Sequence, residues 1–208
     1  MTTLTREALN KELAADGGLR VTPLLDSGQV GPSSIDVRLG NQFIVFRRHL
    51  LGSFDPNNPL HSANRIQQRR VVRWGQSLTL HPGMLVLGST FEFVRMPGHL
   101  EAQVEGRSSW ARVGLMVATA THVEPRFGGA VTLELTNMGT TPLQLQPGVR
   151  IAQLIVRTAQ PVYSSDPDAK KYGGAIGPMF SRLSKDKELA LLRELGTHVR
   201  GAQTLESP

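Results

Sequence analysis

Cysteine is absent from all 208 residues. Disulfides are excluded by that alone, and so are a cysteine nucleophile and any thiolate-held metal. Aromatic side chains are scarce, at 5%, so the chain lacks the stacking platforms on which single-stranded nucleic acid is bound. Long apolar runs are missing too. The stretch MLVLG falls far short of the roughly 20 residues a membrane helix needs. The start, MTTLTREALNKEL, is polar and amphipathic rather than a charged-then-apolar leader. These absences lead us to expect a soluble, cytoplasmic protein without a membrane or nucleic-acid partner. The six histidines show no H-x-x-x-H spacing, so a protein-held catalytic metal is not expected.

Positive charge is what the chain does have. The formal net charge is +6, and arginine heavily outnumbers lysine. Planar guanidinium forks suit phosphate recognition. Arg47, Arg48, Arg69, Arg70 and Arg73 form a loose cluster, which reads most simply as a solvated face.

Periodicity assigns the elements. Thr5 to Ala15 reads as a short helix, capped by Thr5 and stopped at Gly17-Gly18. Leu19 to Leu25 reads as extended. Gly31 to Phe46 reads as a hairpin turning at Gly40-Asn41, with Ile35, Val37 and Leu39 on the apolar face and Asp36 and Arg38 on the solvated one. Leu51 to Gln68 is polar and reads as a surface loop. Short strands then follow closely: 71–74, 77–80, 84–89, 91–94, 102–105, 115–120, 130–136, 143–145 and 151–156. Two of the turns between them are Pro-Gly, in LTLHPGMLVL and LQLQPGVRIAQL. Glycine at the third turn position supplies the positive φ of a type II turn. Many short strands with such turns predict an all-β barrel or sandwich. A glycine-rich tail at 164–180 and a C-terminal helix at 186–195 complete the chain. We expect one β domain over 1–187, with 188–208 as the end of the helix and a flexible tail.

Three stretches carry groups able to do chemistry. GRSSWAR at 106–112 follows a strand and sets Ser108 and Arg112 four residues apart, on one face if the segment is helical. It serves either as a phosphate-binding turn or as a Ser-capped surface helix. Glu134, in VTLELTN, faces away from Val131, Leu133 and Leu135. It is either solvated or a general acid/base turned into a cleft. His122 and Glu124 stand beside Pro125, Arg126 and Phe127.

Taken together, SSIDVRLGNQF, LHPGMLVLGSTFE, EGRSSWARVGLMV and TLELTN resemble the dCTP deaminase family of the dUTPase-like superfamily, over roughly residues 5 to 187. The resemblance implies a distorted β-barrel, or jelly-roll-like, domain assembled as a homotrimer with active sites between subunits. It implies hydrolytic deamination of dCTP to dUTP and ammonia, with magnesium carried on the triphosphate. Zinc is not needed, and the zinc nucleobase deaminases require a P-C-x-x-C pair that a cysteine-free chain cannot supply. By the same resemblance Glu134 is the general acid/base, Ser108 holds the water, and Arg112 orients the glutamate. Arg107 and Ser109 bind the triphosphate. Lys171 and Tyr163 of the tail close over it. Thr121, His122, Glu124 and Gln153 complete the substrate-binding set, with Glu124 toward the sugar. Three positions depart from the family pattern. The segment between Met116 and Pro125 is one residue short, Glu124 replaces an aspartate, and Ala175 stands where a glutamine is expected. A bifunctional enzyme releasing dUMP, and a regulatory nucleotide-binding homologue, are the alternatives on the same scaffold.

Overall fold

The computed structural model describes residues 2–47, 52–55, 58, 61, 63–118, 122–161, 174–183, 186, 188, 189, 191, 192 and 195. The chain forms two compact units, Met1–Val45 with Arg69–Met179, and Phe46–Gln68 with Phe180–Pro208.

The first unit is built almost entirely of strands. Helix α1 spans Arg6–Ala14, and the Thr5 side chain accepts from the Ala8 N–H at its start. This is the cap that the sequence predicts. The helix buries Leu9 completely. The strands in chain order are β1 (Arg20–Thr22), β2 (Ile35–Arg38), β3 (Gln42–Phe46), β4 (Gln67–Val71), β5 (Leu78–Leu80), β6 (Leu85–Arg95), β7 (Leu100–Gly106), β8 (Leu115–Val117), β9 (His122–Val123), β10 (Gly128–Asn137), β11 (Leu143–Leu145) and β12 (Arg150–Thr158). One sheet has the order β4-β3-β6-β10-β8, with β1 also paired to β6. A second has the order β2-β12-β7-β9, and β11 pairs with β5. Inward residues of both larger sheets join one apolar cluster. It includes Ile35, Val37, Val86, Val94, Val104, Leu133, Leu135, Leu154 and Val156. Each such side chain contributes about 1.5–3 kcal/mol by leaving water. Alternation along β2, β7, β10 and β12 is therefore the main reason for the architecture.

The Pro-Gly turns form as expected. Gly83 and Gly148 have φ of 72° and 92°, and Met84 N–H closes the first turn on the His81 carbonyl at 3.1 Å.

Gly31 to Phe46 behaves differently from its pattern. Both strands form, yet β2 pairs with β12 and β3 with β6, so they lie in different sheets rather than in a hairpin. Gly40 is the crossing point, and its N–H donates to the Ser89 carbonyl at 2.8 Å. A Cβ there would stand 3.2 and 3.3 Å from the carbonyl oxygens of Ser89 and Thr90, so glycine permits the close approach. Alternation and a turn signal state that a strand ends and another begins, and say nothing of which neighbour each takes.

Strand β6 is continuous where the sequence suggests two strands. Its pairing with β10 shifts between Ala130 and Thr132. The shift is supported by Thr90, whose hydroxyl accepts from Val131 N–H at 2.9 Å and donates to the Glu92 carbonyl at 2.7 Å. Glu92, two residues further on, is fully buried on the same face of β6 as Val86 and Val94. Strand β4 ends at Val71 instead of beginning there, since it starts at Gln67.

In the second unit, Ala63–Ile66 forms a helical turn, α2, inside the stretch that reads as loop. Arg47 N–H donates to the Ile66 carbonyl at 2.8 Å. Glu188, Leu189, Leu191, Leu192 and Leu195 are helical, in line with the C-terminal helix expected from leucine spacing.

Candidate active site

Glu134 lies on β10 between Leu133 and Leu135, which are both fully buried facing the core. Strand alternation turns Glu134 to the opposite, half-buried face with Thr132 and Thr136. Its cross-strand partner on β6 is Leu87, and the next residue in that row is Ile44 on β3. On its other side the Glu134 carbonyl accepts from Ala118 N–H at 2.8 Å. The carboxyl thus stands in a row of apolar residues. Burial pushes its pKa above the ordinary value, as expected for a carboxyl stripped of part of its water.

The RSSWAR segment turns helical directly after β7, as α3 (Ser108–Ala111), with Arg107 at its N-cap and Arg112 at its C-cap. Ser108, Ser109 and Arg112 are exposed. Two contacts with the β12 end hold the turn. Arg107 N–H donates to the Ile151 carbonyl at 3.4 Å, and the Trp110 indole N–H donates to the Arg150 carbonyl at 3.0 Å. Gly114 ends the turn with φ 96°. A Cβ there would lie 2.7 Å from the Gly139 backbone. The chain then enters β8, which pairs with the 135–137 end of β10. Helix α3 packs against β8, so one short strand links the serine turn to the strand that carries Glu134.

The remaining residues named from the sequence lie mainly on the second sheet. Gln153 on β12 is flanked by Asp36 on β2 and Glu105 on β7, and its Oε1 accepts from the Ser34 hydroxyl at 3.1 Å. Arg107 places its guanidinium 3.6 Å from Asp36. Arg107 and Gln153 therefore share one polar corner. His122, on the edge strand β9, is exposed and bonds Glu101 at 3.2 Å. Glu124 is exposed, and its carbonyl accepts from Phe127 N–H at 3.1 Å. Thr121, Tyr163 and Lys171 lie outside the described residues. Ala175 is described: its carbonyl accepts from Ala130 N–H at 2.7 Å, which brings the tail onto the start of β10. Among the described residues no group of three or more His, Asp or Glu side chains is placed to hold a metal ion.

Sequence reasoning passed over the polar partners of this corner. Asp36 and Arg38 read as a solvated face, yet both are half-buried and bonded. Asp36 accepts from Arg150 Nη1 at 3.3 Å, and Arg38 donates to Asp26 at 2.6 Å and to the Gly148 carbonyl at 2.8 Å. Glu92 was missed as well. One of its oxygens accepts from Gln29 Nε2 at 2.9 Å and the other from Arg38 N–H at 2.8 Å. Burial pushes its pKa up, and these bonds oppose the shift. The advance signal was that Glu92 alternates with Phe91 and Phe93 and so shares a strand face with Val94.

Comparison with known proteins identifies the fold and the family. A crystal structure of 2'-deoxycytidine 5'-triphosphate deaminase from Agrobacterium tumefaciens superposes with a TM-score of 0.59 at 23% identity, covering 76% of this chain and 48% of that one. The fold class is therefore that of a known deaminase structure. The family model described as dCTP deaminase-like matches residues 3–159. A protein of Halobacterium salinarum named dCTP deaminase, dUMP-forming, is 43% identical over 180 residues, which is 84% of this chain and 91% of that protein. One of Natronomonas pharaonis named dCTP deaminase is 40% identical over 179 residues, covering 83% of this chain and 91% of its own length. The chain belongs to the dCTP deaminase family of enzymes.

Proposed function

We propose that this chain hydrolyses the C4–amine bond of magnesium-bound dCTP, with Glu134 moving the protons. The observation that carries this reading is the half-buried Glu134 carboxyl, held above its ordinary pKa by burial. One short strand joins the strand that bears it to an exposed Ser-Ser-Trp-Ala-Arg turn. A carboxyl whose pKa burial has raised is suited to accept a proton and return it in turn. Glu134 takes a proton from water as the oxygen bonds to C4, and N3 receives a proton. The tetrahedral centre then collapses as the amine is protonated, and ammonia leaves. Ser108 holds the attacking water, and Arg112 orients the Glu134 carboxylate. Arg107 and Ser109 bind the triphosphate, with Lys171 and Tyr163 closing over it. Thr121, His122, Glu124 and Gln153 hold the base and sugar. The magnesium ion belongs to the substrate. Free nucleotides are cytoplasmic, and we place the enzyme there. We assign catalysis to the β domain over 1–187, with 188–208 outside it.

The active unit in this proposal is a homotrimer with sites between subunits. Its support is the surface around the serine turn. Val113, Met116 and Met138 are 54%, 50% and 66% exposed. Met116 pairs across strands with Thr136, and Thr136 with the exposed Leu85. An apolar patch beside a catalytic turn is suited to burial by a second copy.

Two end products follow from one deamination, dUTP or, after a further hydrolysis at the α-phosphate, dUMP and pyrophosphate. The name of the 43% identical relative, and of a 38% identical protein of Methanobrevibacter smithii, favours dUMP. Incubation of the purified protein with dCTP, CTP, dCMP and dUTP in magnesium buffer, read by chromatography, tests both statements. Conversion of dCTP to dUMP is expected. Accumulation of dUTP would remove the second hydrolysis, and no turnover of dCTP would remove the deamination.

A further inference from the structure

Arg150 touches the serine turn by two routes. Its carbonyl accepts the Trp110 indole N–H at 3.0 Å. Its guanidinium donates to the Gly28 carbonyl at 3.1 Å, to Asp36 Oδ2 at 3.3 Å and, by a short contact, to Asp26 Oδ1. The same Asp36 oxygen lies 3.6 Å from the Arg107 guanidinium. One carboxylate oxygen is thus shared between two arginines, and one of the two is the residue assigned to the triphosphate.

A carboxylate at that position opposes phosphate binding in two ways. It competes with the phosphate oxygens for the Arg107 fork, and its charge repels them. The Asp36 side chain is only 17% exposed, so solvent ions screen it poorly. Arg150 offsets this charge, and Asp26 fixes Arg150 in place from the far side. Ion pairing with Arg150 holds the Asp26 carboxyl below the usual range, with the Arg38 contact helping.

We propose that Arg150 is a positioning residue of the triphosphate site: by taking up the charge of Asp36 it frees Arg107 for the phosphates. This inference rests on the assignment of Arg107 to the triphosphate. Arg150 touches no reacting atom, so its removal acts on binding and leaves the C4 chemistry alone.

Steady-state deamination of dCTP by the full chain tests it. Arg150→Met raises KM about tenfold with kcat within about twofold, a loss of uniform binding. Arg150→Lys falls between, because it keeps the charge and loses the fork. The decisive variant is the double one. Asp36→Asn in the Arg150→Met background brings KM back to within about threefold of the wild type, since the competing charge is gone. Inhibition by inorganic triphosphate weakens and recovers in parallel. An unchanged KM in Arg150→Met overturns the inference. So does a double variant with a KM no better than that of Arg150→Met and a lower melting temperature, which would assign the network to packing. Arg107→Gln separates the two levels. An unchanged KM in that variant removes Arg107 from the phosphate site and the inference with it. A raised KM there, beside an unaltered Arg150→Met, overturns the inference alone.

Discussion

Glu134 and Glu92 are two strand glutamates with opposite fates. Burial raises the pKa of both, and the two oxygens of Glu92 are bonded by Gln29 and by the Arg38 N–H. In the proposed reaction Glu134 must be ionised to accept the water proton. kcat/KM should therefore rise with pH along an acid limb that lies above the ordinary glutamate value of 4.5. Glu134→Gln should lower kcat by about 10³-fold or more while nucleotide binding, read by calorimetry, stays within about threefold. Retained turnover would remove Glu134 from the mechanism. The same substitution has a stability consequence of known sign. A carboxyl with a raised folded-state pKa stabilises the fold when protonated, and that contribution is lost as pH rises through the folded value. Glu134→Gln should thus melt higher than the wild type at pH 7, with the difference vanishing near pH 4. For Glu92→Gln the expectation is the reverse. An amide would turn its NH₂ toward either Gln29 or the Arg38 N–H, both donors, at a cost of about 1–3 kcal/mol. Urea denaturation at neutral pH measures it.

At the scale of elements, the serine turn depends on its exit more than on its entrance. Gly114 takes φ 96° and lies against Gly139, where an added Cβ would come within 2.7 Å of backbone atoms. Gly114→Ala therefore meets both a strained conformation and a backbone clash. It should destabilise the chain by about 2–4 kcal/mol and reduce activity even in the fraction that folds, because Arg112 precedes it by two residues. Full activity at wild-type stability would show that the turn tolerates displacement. The sequence made this segment legible as a unit, since a strand, two serines and an arginine at four-residue spacing are local features. It left the pairing of β2 and β3 illegible. Each alternating strand presents the same apolar face to any partner, and the crossing at Gly40 is decided by where β6 and β12 lie.

For the whole molecule, the exposed apolar side chains of Val113, Met116 and Met138 are the strongest argument for assembly. Met116→Lys should convert the proposed trimer to smaller species in light scattering and abolish turnover with it, while the circular dichroism of the strands persists. A trimer that survives this change would move the interface elsewhere. Among the described residues no helix is long and apolar enough to cross a membrane.

Composition, alternation and turn chemistry were sufficient to define an all-β chain; they marked Ser108, Arg112 and Glu134 as groups able to do chemistry but left each open to a surface reading, and only the family resemblance gave them roles. These signals are local and follow from how side chains alternate on a strand and repeat on a helix. Which carboxylates lie near which arginines is a non-local matter. Asp26, Asp36, Arg107 and Arg150 meet only because β2, β12 and the end of β7 are brought side by side. Asp36 and Arg38 read as solvated until that packing half-buried them, and Glu92 read as an ordinary strand residue although it shares the core face of β6 with Val86 and Val94. Electrostatic partners are chosen by distance in space, and the chain's order fixes that distance only after it has folded.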